Sequence, residues 1–470
     1  MQDTKKRMQD TKKRIPDTKK RIPDTESRIQ TYAELCVGQM RCRAMRPVVG
    51  KELEAHMEDQ KEAYLAEGMT PEEAERLAVV QMGDPVEAGM ELDRVHRPRM
   101  DWKAVMLICF LAAVGIWLQF IHAGQGGSIQ TAQRFMVCTG IGIVLMLGVC
   151  FADYTILGKY PRLSWALATA VTAVGYMGTE QINGASRAGY MVMLMVPCFA
   201  GLVWFYRGQK WIGVGKVFGW LLLSWALLLV CGGLQDGLMV KVWLCGCIVM
   251  LAFAVGRGWY GIRKSKAVLI LLTPAVLACF YMGRLFLRGA TYQTERLKVM
   301  FGMMTGKEIP GDMNYQWLAV RQALGQLRAA GTAGVRTTGT VLSSNENYAL
   351  LWVSENYGLL GAALLLALLA ALTVVFCKRT GRQKNRLGAM AGAGCIYVLA
   401  TTAAIHVLTN FGAFIPTDCA LPFISMNGGQ CIALYVLMGI LLSVYRGSDI
   451  RPEPSGICVS AFGKKGLKLL

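Results

Sequence analysis

Of the 470 residues, 54% are hydrophobic, and the chain carries a formal net charge of +19. Such an apolar composition over this length excludes an ordinary soluble enzyme and indicates a polytopic membrane protein. Residues 1–100 hold 19 basic and 19 acidic side chains, so all of the positive excess lies in the remaining, apolar part. On a polytopic protein this bias is typical of the positive-inside rule and of contact with anionic lipid, so we predict no nucleic-acid partner.

Both ends of the chain are predicted to be polar tails. Residues 1–28 are nearly perfect seven-residue repeats, beginning MQDTKKR, with at most one apolar residue each besides proline, which two of them contain. This pattern lacks a coiled-coil seam and predicts a disordered basic tail. Residues 448–470 are predicted to form a basic cytoplasmic tail.

A small cytoplasmic helical domain is predicted at residues 29–97. Thr70, Pro71 and Glu73 form a capping box with proline at the first helical position, and Gly68 and Gly83 are expected to end helices. One helix is predicted to turn an apolar face to the core, made of Leu53, Met57, Tyr64 and Leu65. The domain resembles the cytoplasmic prefix domain in front of some bacterial permease-like proteins, which implies docking or regulation and no chemistry.

Ten apolar runs follow, each near the roughly 20 residues that a helix needs to cross a bilayer. They are residues 104–122, 135–151, 163–178, 189–206, 217–232, 238–255, 267–283, 348–376, 389–409 and 430–446. We therefore predict an all-α membrane domain of about ten transmembrane helices over residues 102–447. Basic side chains such as Arg162, Lys216 and Arg263 fall in alternate connections. The positive-inside rule then predicts a multi-pass membrane protein with both termini cytoplasmic.

The longest connection, residues 284–347, is predicted to be a large extracellular loop. It contains eight basic and four acidic side chains. The positive-inside rule does not predict this excess for an outer segment, so the excess favours an anionic ligand. Long translocated segments also escape that rule, which leaves a loop without a ligand as the alternative.

Residues 410–430 interrupt the apolar pattern between the last two runs. Pro416, Asp418, Pro422 and a pair of glycines exclude a continuous helix through lipid. Non-helical backbone at membrane depth is tolerated only where protein or a wet cavity satisfies it, so this loop is predicted to line a site. The other interpretation is an ordinary connecting loop, in which proline and glycine only end the flanking helices.

Three stretches resemble one known family. LPFISMNGG, which follows Asn410 and Pro416, resembles the LPFxSxGG loop before the last helix of the SEDS proteins (shape, elongation, division and sporulation), with one extra residue before the glycines. INGASR at residues 182–187 resembles the family's NGAxR signature, and NYALLWVSENYGLLG at residues 347–361 resembles the start of its eighth span. The resemblance implies a divergent SEDS protein of the RodA/FtsW/SpoVE type.

That resemblance implies a peptidoglycan glycosyltransferase acting in cell-wall synthesis, cell division or shape control. Its substrate would be lipid II, the undecaprenyl-pyrophosphate-linked disaccharide-peptide, and its partner a class B penicillin-binding transpeptidase. No organic cofactor is implied, and a need for a divalent cation stays open. The 15 cysteines and 4 histidines show no metal-ligand spacing, so no metal site is predicted.

The reaction needs a carboxylate base for the attacking hydroxyl and cations for the diphosphate. The family's essential aspartate falls on Asn347, whose amide cannot accept a proton, so the adjacent Glu346 is the predicted substitute. The substrate-binding residues that the resemblance and the charge pattern imply are Asn183, Arg187, Arg321, Gln322, Arg328, Asn410, Pro416, Asp418, Pro422, Ser425, Gly428 and Gly429. Glu355 lies inside a predicted span and matches a family glutamate, which favours a structural or coupling role.

Two departures from the family pattern leave other functions open. One is the amide at Asn347. The other is the family's QPxExxK motif in the fourth span, of which only Pro197 is present, because no acidic residue lies between Glu180 and Asp236. The alternatives are a non-catalytic lipid II-binding scaffold or regulator of a transpeptidase, and a lipid II flippase.

Overall fold

The structure is a computed structural model that divides into two compact units, Met1–Pro98 and Arg99–Leu470. It describes residues 27–42, 45–96, 98, 100–178, 181–182, 185–186, 189–233, 237–266, 268–270, 272–273, 276, 298–299, 302, 305, 315–333, 347–414, 417 and 419–447. The predicted tails at residues 1–28 and 448–470 therefore lie almost entirely outside the described residues.

The described residues of the first unit form four helices. They are α1 Arg28–Gly38, α2 Arg46–Ala66, α3 Pro71–Gln81 and α4 Pro85–His96. The predicted capping box is confirmed, since the Glu73 N–H donates to Thr70 Oγ1 at 3.4 Å and the Thr70 hydroxyl donates to the Glu73 carboxylate at 2.8 Å. Gly68 and Gly83 follow α2 and α3 with φ of +89° and +77°, which explains glycine at both positions.

One apolar cluster lies in the core of this unit. Its buried members are Ile29, Tyr32, Ala33, Cys36 and Met57. Leu65 is 37% exposed near the end of α2, so the prediction that it belongs to the apolar face is wrong. The hydroxyl of Tyr32 donates to the carbonyl of Met82 at 3.0 Å, and burial raises the pKa of Tyr32 to about 12.

The described residues of the second unit are almost entirely helical. They form α5 Trp102–Gly124, α6 Ile129–Phe151, α7 Ile156–Lys159, α8 Pro161–Gly178, α9 Met195–Phe205, α10 Lys210–Leu228, α11 Gly237–Gly256, α12 Tyr315–Gly325, α13 Ala349–Gly381, α14 Arg386–Asn410 and α15 Gly428–Arg446. A 3₁₀ turn at Gly189–Leu194 leads into α9, and a π turn at Leu229–Gly233 follows α10. Strands β1 Gln181–Ile182 and β2 Ala185–Ser186 form a short antiparallel hairpin.

Seven described helices are long and apolar enough to cross a membrane: α5, α6, α10, α11, α13, α14 and α15. The chain is therefore an all-α, multi-pass membrane protein, as predicted. Residues 189–205 form a further, shorter apolar helix. Most of the predicted run at 267–283 lies outside the described residues.

Helices α6 and α15 pack together through glycine. A Cβ added at Gly142 of α6 would lie 2.3 Å from the ring of Tyr435, and one at Gly439 of α15 would lie 2.7 Å from the carbonyl oxygen of Met146. Between membrane helices the hydrophobic effect contributes little, so close backbone approach is what lets them associate. The α6–α15 pair thus gives the 410–430 loop, which leads into α15, a rigid support.

Candidate functional site

The first turn of α13 is held by the last residue of α14. Asn410 is 2% exposed, and its Oδ1 accepts from the Leu351 N–H at 2.9 Å. Its amide nitrogen donates to the carbonyls of Asn347 and His406 at 2.9 and 2.8 Å. The Leu351 N–H is one of the donors that a helix start leaves without an intrahelical partner, so Asn410 caps α13 from the neighbouring helix.

Asn347, at the position of the family's base, lies before the first helical residue of α13. Its backbone carbonyl is held by Asn410, whereas its side-chain oxygen Oδ1 is buried with no hydrogen-bond partner among the described residues. Glu346 lies outside the described residues. Asn347 itself lies in a turn outside the helix.

Helix α12, inside the long loop, lies over this junction. The Trp317 indole donates to the carbonyl of Gly412, just beyond α14, at 3.0 Å. One apolar cluster joins the two helices and consists of Ala319, Val320, Ala323, Tyr348 and Leu351. Arg321 and Gln322 lie on the exposed face of α12, and Arg328 is exposed shortly after its end. The structure thus brings Asn347, Asn410 and α12 together at one end of the membrane helices.

Helix α13 is broken at Gly358, which has φ +80° and ψ 176°. Residues 328–333, here called the insert segment, fill the break. The N–H groups of Leu359 and Leu360 donate to the carbonyls of Arg328 and Ala329, both at 3.0 Å, and the Ala333 N–H donates to the carbonyl of Glu355 at 2.7 Å. Backbone groups freed at membrane depth are therefore paired with another part of the chain.

Glycine is required at the break. Its dihedral angles lie in a region that only glycine occupies readily, and a Cβ at Gly358 would come within 2.6 Å of the Cα of Ala330. Glu355, three residues earlier, is fully buried at 0% exposure. The structural or coupling role of Glu355 stays a prediction.

The 410–430 loop is held mainly by side-chain hydrogen bonds. The Gln430 amide accepts from the Ala420 N–H at 2.9 Å and donates to the Ala420 carbonyl at 2.8 Å. Ser425 Oγ accepts from the Leu421 N–H at 2.6 Å, and Gln119 of α5 donates to the carbonyl of Ile424 at 3.0 Å. Each of these bonds pairs a buried backbone N–H or carbonyl group that has no hydrogen-bond partner within a helix.

This loop reaches into the depth of the bundle. A Cβ at Gly115 would overlap the carbonyl oxygen of Phe423, so the loop touches α5 at that residue. Since α5 ends at Gly124, the contact lies about 13 Å along the helix from its end. Phe423 has φ +66°, an unusual conformation for a residue with a side chain.

The structure places the predicted loop residues in two groups. Pro422 and Ser425 are buried, and Gly428 and Gly429 are half-buried at the start of α15. The predicted site residues that lie outside the described part are Asn183, Arg187, Glu346, Pro416 and Asp418. Among the described residues, no group of three or more His, Cys, Asp or Glu side chains could hold a metal ion.

A groove of about 430 Å³ borders the start of α15. It is lined by Gln130, Gln133, Arg134, Val137 and Cys138 of α6. A Cβ at Gly428 would lie 3.7 Å from the sulfur of Cys138, so the glycine stands at its edge. Polar groups line the part of the groove near the start of α6 and apolar groups the next turn.

Arg134 was not predicted as a site residue. The apolar run was expected to begin at residue 135, whereas α6 begins at Ile129, with the Ser128 hydroxyl accepting from the Thr131 N–H. A basic residue directly before an apolar run is a weak signal, because such residues commonly anchor helices at the membrane surface.

Comparison with known proteins identifies the family. The model of the FtsW/RodA/SpoVE family, described as cell cycle proteins, matches residues 99–449. The chain belongs to this family. The resemblance predicted from the three motifs is thereby confirmed, and the matched residues include the groove, Asn347, the insert segment and the 410–430 loop.

Individual relatives match over shorter stretches. A protein of Mesostigma viride named peptidoglycan glycosyltransferase FtsW is 27% identical over 215 residues, which are 44% of this chain and 48% of the relative. A Synechocystis protein of the same name is 30% identical over 96 residues, 20% of this chain and 24% of the relative. The chain therefore spans about half or less of the curated relatives it matches.

A solved structure shares the fold. One chain of a peptidoglycan synthase complex, reported for the structural coordination of polymerization and crosslinking, superposes with a TM-score of 0.59 at 18% identity. The match covers 74% of this chain and 98% of that one. The membrane fold of the family is thus present nearly in full.

Proposed function

We propose that this protein is a peptidoglycan glycosyltransferase that polymerises lipid II at the outer face of the bacterial cell membrane, with both termini cytoplasmic. The main support for the proposal is the family match over residues 99–449. Asn347, at the position of the family's base, accepts a hydrogen bond at its backbone carbonyl from Asn410. The names of the curated relatives support the activity. The solved synthase complex supports a class B penicillin-binding transpeptidase as partner.

The groove beside Gly428 would receive the lipid-linked substrate. Arg134 would bind its diphosphate, since guanidinium groups form charge-assisted, bidentate hydrogen bonds to phosphate oxygens. Arg321 and Arg328, exposed near Asn347, would stabilise the diphosphate as it leaves the anomeric carbon. Val137 and Cys138 would contact the start of the isoprenoid chain.

The proton of the attacking hydroxyl requires an acceptor. A neutral amide such as that of Asn347 does not take the proton. Glu346 is the carboxylate next to it in the chain and is proposed as the base.

The amide at Asn347 also favours a second function, a lipid II-binding scaffold without catalysis. Purified protein would be incubated with lipid II and its transpeptidase, and glycan strands resolved by gel electrophoresis. For a polymerase, the native protein extends strands, Glu346→Gln abolishes extension, and Glu308→Gln, a carboxylate change in the same loop, leaves it intact.

The scaffold function gives a different outcome. The native protein would bind lipid II without making polymer, and Asn347→Asp would restore polymerisation by supplying the missing base. Movement of lipid II across liposomes without polymer would instead indicate a flippase. If neither the native protein nor the Asn347→Asp protein binds lipid II, lipid II is not the substrate and the proposal is wrong.

Arg134 provides a test of the groove. We expect Arg134→Gln to raise KM for lipid II about tenfold, because one charge-assisted contact to the diphosphate is lost. Arg134→Lys should recover part of the affinity. An unchanged KM would exclude the groove as the diphosphate site.

A further inference from the structure

Two cations share one tyrosine ring at the turn between α9 and α10. Tyr206 is 3% exposed, with the guanidinium carbon of Arg162 and the ammonium of Lys216 at 5.7 and 5.6 Å from its ring centroid. Its hydroxyl oxygen accepts from Arg162 Nε at 3.0 Å and from the Trp220 indole N–H at 3.2 Å. We call Arg162, Tyr206, Gln209, Lys216 and Trp220 the Tyr206 cluster.

The cluster has a large excess of positive charge. Lys216 reaches back along α10, and its ammonium donates to Gln209 Oε1 at 2.9 Å. Gln209 is the N-cap residue of α10, where no side chain caps the helix and the first turn holds no acidic residue. The positive end of the helix dipole therefore adds to the two cations instead of opposing them.

No carboxylate in the described part of the chain forms an ion pair with either cation of the cluster, Arg162 or Lys216. Between residues 154 and 294 the sequence contains only two acidic residues, Glu180 and Asp236. In the sequence, Glu180 follows the end of α8, whereas Arg162 lies at the start of that helix. Asp236 precedes the start of α11, whereas Arg257 follows its end.

We propose that the Tyr206 cluster binds the phosphate of an anionic glycerophospholipid. Arg162 and Lys216 supply the charge, and the Tyr206 hydroxyl, whose oxygen already accepts two hydrogen bonds, has its own hydrogen to donate. The hydrophobic surroundings fit a lipid. Trp211 and Ile212 in the first turn of α10 are 48% and 70% exposed, and Leu163 beside Arg162 is 66% exposed.

This site lies away from the proposed substrate site. Arg379, near the other end of α13 from Asn347, pairs with Asp101 at the start of α5 at 2.8 Å. Helix α6 returns to that end, since the Ser443 hydroxyl donates to the carbonyl of Ala152 at 2.6 Å close to the end of α15. The short helix α7 then leads into Pro161–Gly178. Arg162 therefore lies at the end of the bundle opposite Asn347, in the other leaflet.

Native mass spectrometry of the full-length protein would test the proposal. Phosphatidylglycerol and phosphatidylcholine with identical acyl chains would be added to the detergent-solubilised protein. We expect phosphatidylglycerol to be retained about tenfold better, and the Arg162→Gln/Lys216→Gln protein to lose that preference, because the bound phosphate would lose both of its cationic partners. Lys378→Gln/Lys384→Gln removes two exposed cations at the same end and should retain the preference.

Three results would overturn the site: equal retention of the two lipids by the native protein, an equal loss in the control variant, or displacement of the lipid by millimolar inorganic phosphate. The last would assign the cluster to a free anion. If the double variant does not fold, Lys216→Gln alone carries the test, since the Lys216 side chain is exposed. Glycan synthesis is a separate readout, so a failed lipid site leaves the proposed function untouched.

Discussion

The break at Gly358 and the 410–430 loop both leave regular helix, and each satisfies its backbone in a different way. At Gly358 the freed N–H groups bond to carbonyls of the insert segment, which precedes them in the chain by about 30 residues. The 410–430 loop is held by side chains, chiefly those of Gln430, Ser425 and Gln119. Both arrangements meet the requirement that backbone at membrane depth be paired.

The difference lies in what each arrangement depends on. Gly358 depends on backbone contacts with the long loop, so the shape of α13 and the position of that loop are coupled. The 410–430 loop depends chiefly on side chains of its own neighbourhood, and it also accepts a hydrogen bond at the Gly412 carbonyl from Trp317 of the long loop. The break at Gly358 thus couples α13 to the long loop, whereas the 410–430 loop is held mainly by its own surroundings.

The largest expected effect on stability is at Gly358. Gly358→Ala adds a Cβ that would lie 2.6 Å from Ala330 Cα, in a conformation that only glycine adopts readily. We expect a loss of about 3–5 kcal/mol in the free energy of unfolding, measured by thermal unfolding in detergent. Gly219→Ala of α10, where nothing lies within 4 Å, is the control and should be neutral or stabilising. A Gly358→Ala protein as stable as the native protein would contradict the packing of the insert segment against the break.

Gln430→Leu tests the contribution of side-chain hydrogen bonds to the 410–430 loop. The change leaves the buried Ala420 N–H and carbonyl unpaired and should cost about 2–4 kcal/mol by the same unfolding measurement. Gln125→Leu, an exposed change of the same kind, should stay within about 0.5 kcal/mol. If Gln430→Leu is as mild as the control, another interaction must hold the loop.

Ser425→Ala separates a structural from a substrate-binding role for that residue. Loss of the bond from the Leu421 N–H should cost about 1–2 kcal/mol of stability. We expect KM for lipid II to change less than twofold, because the hydroxyl is buried and already bonded within the loop. A tenfold rise in KM at unchanged stability would show instead that Ser425 contacts substrate.

The smallest effect is expected in the first unit, whose pH dependence sets it apart from both stretches. The Glu75 carboxylate accepts from the Ser27 hydroxyl and the Arg28 N–H at the start of α1. Burial raises the pKa of Glu75, but these hydrogen bonds and the Lys61 ammonium outweigh it and leave the pKa below its usual 4.5. A lowered folded-state pKa stabilises the unit above pH 4.5, and the gain is lost as pH falls through the folded value.

Hydrogen exchange of α1 in the full-length protein would measure this contribution. At pH 7, Glu75→Gln should increase opening of α1 by an amount equivalent to roughly 0.5–1 kcal/mol. The difference from the native protein should shrink at a pH well below 4.5. Glu72→Gln, an exposed change on the same helix, should have no effect. A difference independent of pH would show that the charge of Glu75 is unimportant.

Much of the fold follows from apolar runs. The runs at 389–409 and 430–446 correspond to α14, Arg386–Asn410, and α15, Gly428–Arg446. Helix α6 begins before its run because its first turns are polar and are started by Ser128, which a count of apolar residues does not detect. Helix α12 was not predicted, because it lies within a loop that looked irregular.

The break at Gly358 could not be predicted for a different reason. A glycine within a long apolar run is compatible with a continuous helix, and here the insert segment, which the sequence does not link to it, decides its conformation. The bonds of Asn410 are similar, since they join residues 59 and 63 positions apart in the chain. Motifs located these residues, but their partners required three-dimensional contacts.

The three hydrogen bonds of Asn410 also restrict which residues this position can accept. Aspartate would keep the bond from Leu351 but lose both donors, glutamine would be one methylene too long, and serine would be too short to span three backbone groups. Homologues that retain this meeting of α13 and α14 should therefore carry asparagine here whether or not they catalyse a reaction. Asparagine at this position is thus a marker of the fold, and activity within the family has to be judged from the residues at 346 and 347.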